Sequence, residues 1–142
     1  MIRYILDPDH LSLYERFHPQ VCARILQVRR QTLTELTTTI VSVEEQQAGR
    51  LAQIRKASTP EALVFAYGKL RATIELFSIL EILDYDLQAD ELFRGFRQAG
   101  IRIGSQDLRI ASITLAQKGI LITRNLRDFE KVPNLLIQDW SV

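Results

Sequence analysis

Short apolar runs alternate with longer segments of helical period along this chain. That alternation restricts its fold more than any other feature. The runs are "IRYIL" (2–6), "TTTIVSV" (37–43), "EILDYD" (81–86), "ILIT" (120–123) and "LLIQD" (135–139). They are short, and several are rich in β-branched residues, as strands are. Between them, apolar residues recur at helical spacing over 9–16, 19–33, 44–57, 60–80, 89–100 and 105–119. Ser58 or Thr59 before Pro60 reads as a helix start, and Gly100 and Gly119 read as helix stops. Strands this apolar, each followed by a helix, predict an α/β fold with a short parallel sheet covered on both faces. Ligands of such sheets lie outside the carboxyl ends of the strands, where the strand order reverses.

A chain of 142 residues without internal repeats or low-complexity tracts reads as one domain, 1–142. No apolar run is long enough to span a bilayer, and "MIRYIL" does not read as an export signal, so a cytoplasmic protein is expected. Cys22 has no partner for a disulfide or a thiolate cage, and its helical context suits a small core residue. The 18 basic and 17 acidic residues nearly cancel, which argues against a protein that simply coats polyanions. Fourteen of the 18 cations are arginine, whose planar fork suits phosphate.

Acids fall where the topology would gather them. Asp7 follows the first run, Glu44 and Glu45 follow the second, and Asn125 and Asp128 follow the fourth. Asp107 lies in the first turn of a helix after a glycine-containing loop. Taken singly, each has a plain structural role as a turn former or first-turn helix residue. Taken together, converging carboxylates about 5 Å apart would repel by roughly 3 kcal/mol at an effective dielectric of 20. A hard divalent cation with oxygen ligands offsets that repulsion. The spacing alone does not choose between Glu44 and Glu45.

"LDPDH" after a first strand also has the Asp-x-Asp start of the haloacid-dehalogenase phosphatases. The next two residues, His10 and Leu11, depart from that pattern. None of the four lysines sits convincingly at a strand end to hold a phosphate. A receiver-type phosphoacceptor fits "EILDYD" poorly. By contrast, "YILDPDHLS", "TTIVSVEEQQAGRL", "GIRIGSQDLRIASITLA" and "GILITRNLRDFEKVPNLLIQDW" together resemble the PIN domain, specifically the VapC-type toxins, over essentially the whole chain.

The resemblance implies a three-layer PIN-like fold and a metal-dependent endoribonuclease. Asp7, Glu45 and Asp107 match the metal-site acids. Glu45 is chosen over Glu44 because it stands three residues after Ser42. Asn125 and Asp128 share the fourth position, Asp128 as catalytic acid and both as metal ligands. Mg²⁺ or Mn²⁺ is the implied cofactor. Arg109, Arg124 and Arg127 are the candidate RNA-binding residues, from their places beside the acids. A cognate antitoxin and a homodimer are the implied partners. Two departures stand out, since the family has Thr or Ser where Pro8 stands, and Asn or Ser where Asp9 stands. Pro8 suits the first position of the following helix, and Asp9 is expected to cap that helix or to reach the metal site. His10 and His18 lack zinc-site spacing and are expected to be capping or surface residues. The apolar residues Leu63, Tyr67, Leu70, Ile74, Phe77 and Ile79 are expected mainly in the core, and Trp140 is expected to close the last strand. The alternative is a PIN-like module that binds RNA or protein with weak or no nuclease activity.

Overall fold

The computed structural model describes residues 1–142. Five strands, β1 (Ile2–Leu6), β2 (Thr34–Thr39), β3 (Glu81–Leu83), β4 (Ile120–Ile122) and β5 (Leu136–Gln138), form one sheet in the order β3-β2-β1-β4-β5. Every pairing is parallel. The helices are α1 (Pro8–Glu15), α2 (Pro19–Arg29), α3 (Ile40–Lys56), α4 (Pro60–Ser78), α5 (Leu87–Gln98), α6 (Ser105–Ala116) and α7 (Leu126–Phe129). The predicted α/β class and its central parallel sheet are therefore present.

The alternation of strand side chains divides the core in two. Ile5 and Leu121 point into a cluster with Val41, Leu108, Ile110 and Phe129. Their neighbours Leu6 and Ile122 point the other way, into a cluster with Leu11, Val21, Ile25 and Trp140. All four strand residues are fully buried, as a central parallel strand requires. Trp140 is buried, as expected, while Cys22 is only half-buried.

Several boundaries differ from the sequence reading; β2 begins at Thr34 rather than Thr37, and β3 ends at Leu83. The β-branched run 37–43 splits at Thr39, and Ile40 to Val43 belong to α3. Thr39 accepts the Ser42 N–H at 3.0 Å through its hydroxyl, and this N-cap outweighs the strand propensity of the residues beyond it. The helix expected over 19–33 stops at Arg29. Thr34 then donates its hydroxyl to the carbonyls of Val28 and Gln31, turning the chain into β2. The face of α4 is also more open than expected. Phe77 is buried, but Leu63, Tyr67, Ile74 and Ile79 are exposed, alongside Val64 and Phe65.

The order places β1 at the reversal, since β2 and β3 extend to one side of it and β4 and β5 to the other. The carboxyl ends of β1, β2 and β4 thus open onto one sheet edge. No helix is long and apolar enough to cross a membrane.

Candidate metal centre

Asp7 is the first residue beyond β1. Its N–H still donates to Ile122 of β4 at 3.1 Å, so its backbone is held at the switch in strand order. Its side chain is the N-cap of α1, with Oδ1 accepting the His10 N–H at 2.8 Å. Pro8 takes the opening position of that helix, where no N–H is needed. Asp7 is buried, with 6% of its surface exposed. Capping therefore falls to Asp7 and not to Asp9, which lies in the first turn.

Glu45 projects from the second turn of α3, beyond the Thr39 cap, and Asp107 from the first turn of α6. Burial pushes the Glu45 carboxyl above its ordinary range, and the charges of Asp107, Asp7 and Glu44 push it further. Burial likewise raises Asp107, with added repulsion from Asp7 and Asp128. The three predicted acids, from the end of β1 and the opening turns of α3 and α6, are thus close enough for Asp7 to oppose the ionisation of both Glu45 and Asp107. Glu44 instead accepts a hydrogen bond from Gln106 at 2.7 Å.

The acids are in electrostatic range but not at chelating distance. No group of three or more His, Cys, Asp or Glu side chains stands close enough to cage an ion directly. The donor set still fits a hard cation. It is all oxygen, and the carboxylates of Glu45 and Asp107 have no protein ion pair or hydrogen bond within the fold. Half-buried acids without a partner are costly as anions. A divalent ion would displace no protein partner from either, and Mg²⁺ commonly keeps waters between itself and the protein.

The fourth position is arranged differently. Asn125 caps α7, and its Oδ1 accepts the Asp128 N–H at 3.4 Å while its Nδ2 donates to Asp128 Oδ2 at 3.1 Å. That hydrogen bond, then Lys131 and Arg127, hold the Asp128 carboxyl below its ordinary range. Both ends of the Asn125 amide are therefore engaged with Asp128, and Asp128 reaches the centre through its effect on Asp107.

The three predicted arginines have separate fates. Arg124 donates to Asp9 from Nε at 2.5 Å and from Nη2 at 2.9 Å. Arg109 donates to Gln106 at 3.0 Å and lies over the Phe93 ring at 4.9 Å. Arg127 is exposed and makes no hydrogen bond or ion pair.

The histidines also diverge. His18 caps α2, with Nδ1 accepting the Val21 N–H at 3.3 Å, as expected. His10 is neither a cap nor a surface residue, since it is fully buried between Asp7 and Trp140. Its spacing from Asp7 was the available signal. In a helix capped by residue i, residue i+3 stands directly over the cap's side chain.

No profile of a known protein family matches the chain. It is 34% identical over 76 residues to a ribonuclease VapC2 of Rickettsia felis, and 36% identical over 74 residues to a tRNA(fMet)-specific endonuclease VapC of Salmonella typhimurium. These matches take in 50% and 49% of this chain and 57% and 56% of the relatives, so the chain spans little more than half the length of either. The structural likeness is longer. The DNA-bound VapBC structure from Salmonella typhimurium superposes with a TM-score of 0.75 at 25% identity, over 99% of both chains.

Proposed function

We infer that this chain, as a member of the VapC-type PIN-domain family, is an endoribonuclease that depends on Mg²⁺ or Mn²⁺. In this reading residues 1–142 form one PIN domain. It acts in the cytoplasm as the toxin of a type II toxin–antitoxin pair, hydrolysing phosphodiester bonds of RNA. The observation that carries the proposal is the placing of Glu45 and Asp107, neither with a protein partner, in the field of Asp7 at the switch in strand order.

Each side chain has a task in this reading. Asp7 offers Oδ2, since the protein's hydrogen bonds to its carboxylate fall on Oδ1. Glu45 and Asp107 supply the remaining acidic ligands. Asp128, held by Asn125, orients water at the rim of the centre, with Asn125 as a weaker ligand. A bound Mg²⁺ or Mn²⁺ would acidify a water and offset the charge that develops on the phosphate. Arg127 is free to guide the RNA backbone, Arg109 flanks the same edge, and Arg124 joins them when it leaves Asp9. The exposed apolar face of α4 suits a second copy of the chain or the antitoxin.

Pro8, and Asn125 with its amide engaged by Asp128, favour a second reading, a PIN-like binding module with little hydrolysis. A cleavage assay on RNA with Mg²⁺ or Mn²⁺, and with EDTA, separates the two. The nuclease reading expects cleavage by the wild type, none in EDTA, and a loss of about 100-fold or more in Asp7→Asn and Asp107→Asn. Equal activity in all three proteins rejects it.

A further inference from the structure

We propose that His10 is a positioning residue for the metal centre, holding Asp7 so that one carboxylate oxygen, Oδ2, is presented to the cation. The proposal rests on the reading of Asp7, Glu45 and Asp107 as a metal centre. His10 has no exposed surface, and its ring lies between two partners. Nδ1 is 3.2 Å from Asp7 Oδ1, and Nε2 is 3.2 Å from the Trp140 backbone nitrogen.

The second contact decides the tautomer. The Trp140 N–H is a donor, so Nε2 must be the acceptor and the ring proton sits on Nδ1. The opposite tautomer would set two buried N–H groups against each other and leave the Trp140 donor unpaired. Asp139 Oδ1, at 3.6 Å from Nε2, does not call for a proton there. It already accepts the Ser141 N–H at 2.8 Å and the Ser141 hydroxyl at 2.6 Å. With the proton on Nδ1, the ring donates to Asp7 Oδ1, as the His10 backbone N–H also does. Two donors on Oδ1 leave Oδ2 without a protein hydrogen bond.

The seat behind the ring is rigid. Trp140 is buried, its ring packs against Tyr4 with centroids 5.2 Å apart, and the Arg24 guanidinium lies 5.3 Å over it. The segment after β5 is thereby coupled to the first metal-site acid. Outer partners that orient a metal-bound group are worth about 10–100-fold in metal affinity.

Two amides separate the roles of the two ring nitrogens. His10→Asn places an NH₂ where Nδ1 stands and keeps the donor to Asp7. His10→Gln reaches the position of Nε2, keeps an acceptor for Trp140, and leaves Oδ1 without its side-chain donor. Binding of Mn²⁺ to the intact protein is measured by titration calorimetry, beside Asp7→Asn. Two-dimensional NMR of the imidazole nitrogens reads the tautomer directly in the wild type. The expected result is Mn²⁺ affinity near wild type in His10→Asn, a loss of about 10-fold or more in His10→Gln, and a protonated Nδ1 with a bare Nε2. Equal affinity in both variants, or equal loss in both, overturns the positioning role, and so does a proton found on Nε2. If Asp7→Asn itself binds Mn²⁺ as the wild type does, the metal-centre reading has failed rather than the role of His10. The wild-type NMR result stands even where a variant does not fold.

Discussion

Arg124, just beyond β4, grips Asp9 in the first turn of α1 with two hydrogen bonds across 115 positions of sequence. The contact takes up the guanidinium face that would meet a phosphate, and Asp9 raises the affinity of Arg124 for its proton. Both side chains are partly exposed, at 49% and 38%, so the pair is worth at most about 1 kcal/mol.

Releasing that grip should strengthen RNA binding. Asp9→Asn is expected to lower KM for RNA by up to about fivefold, the equivalent of 1 kcal/mol, with kcat little changed. The salt dependence of binding should steepen by roughly 0.7 in log–log slope, as one more phosphate contact forms. An unchanged KM and slope in Asp9→Asn would show that Arg124 does not meet the RNA.

The acids of the centre should oppose the fold when no cation is bound. Glu45 has its carboxyl raised by burial and then by Asp107, Asp7 and Glu44, and Asp107 has its own raised by burial and then by Asp7 and Asp128. A carboxyl raised on folding costs nothing below its unfolded value, near pH 4. Its cost develops as pH rises through the folded value, where the native state must give up the proton. Glu45→Gln or Asp107→Asn in EDTA should therefore raise Tm at pH 7 by about 2–4 °C, the equivalent of about 1 kcal/mol after solvent screening. The gain should shrink toward zero at pH 4. Magnesium should raise Tm of the wild type more than that of either variant. Thermal melts at the two pH values, with and without magnesium, check the sign.

The helix that carries Glu45 is anchored through a buried charge. Glu15 of α1 meets Arg50 of α3 at 3.3 Å and accepts the Thr73 hydroxyl of α4, with side chains only 7% and 12% exposed for Glu15 and Arg50. Arg50→Met should cost about 3 kcal/mol in urea unfolding, because it strands a buried carboxylate. The double variant Glu15→Gln, Arg50→Met should recover part of that loss. A cost below about 0.5 kcal/mol for Arg50→Met would mean that water takes over from the guanidinium.

Gly119 has a steric reason to be glycine. A Cβ there would lie 2.7 Å from Ile5 Cδ1 and 3.1 Å from the Arg3 carbonyl oxygen. Ile5 is fully buried in the core, and the Arg3 carbonyl belongs to β1, so neither yields easily. Gly119→Ala should cost about 1–3 kcal/mol by overpacking, read from urea unfolding. A neutral substitution would show that β1 and the approach to β4 can separate at no cost.

The sequence by itself determined what is local. The runs "IRYIL" and "ILIT", mostly apolar and each set between helical segments, suit strands of a covered parallel sheet. Asp7 beside a strand end and Asp107 in a first turn were legible because strand ends and helix starts are marked by neighbouring residues, whereas the cap expected of Asp9 fell to Asp7. Tertiary structure decided what depends on distance. The end of β2 moved to Thr39 because a cap and the length of the neighbouring strand outweighed a β-branched run. Glu45 rather than Glu44 met the other acids because α3 begins at Ile40 and so faces that residue toward the sheet edge. Asp9 found Arg124, and His10 found Trp140, only because the order β2-β1-β4-β5 lays the chain's beginning beside its end. Spacing fixes which residues share a turn, whereas strand order and register fix which turns meet. Those are set by the summed burial of two core layers, a quantity that no single segment carries.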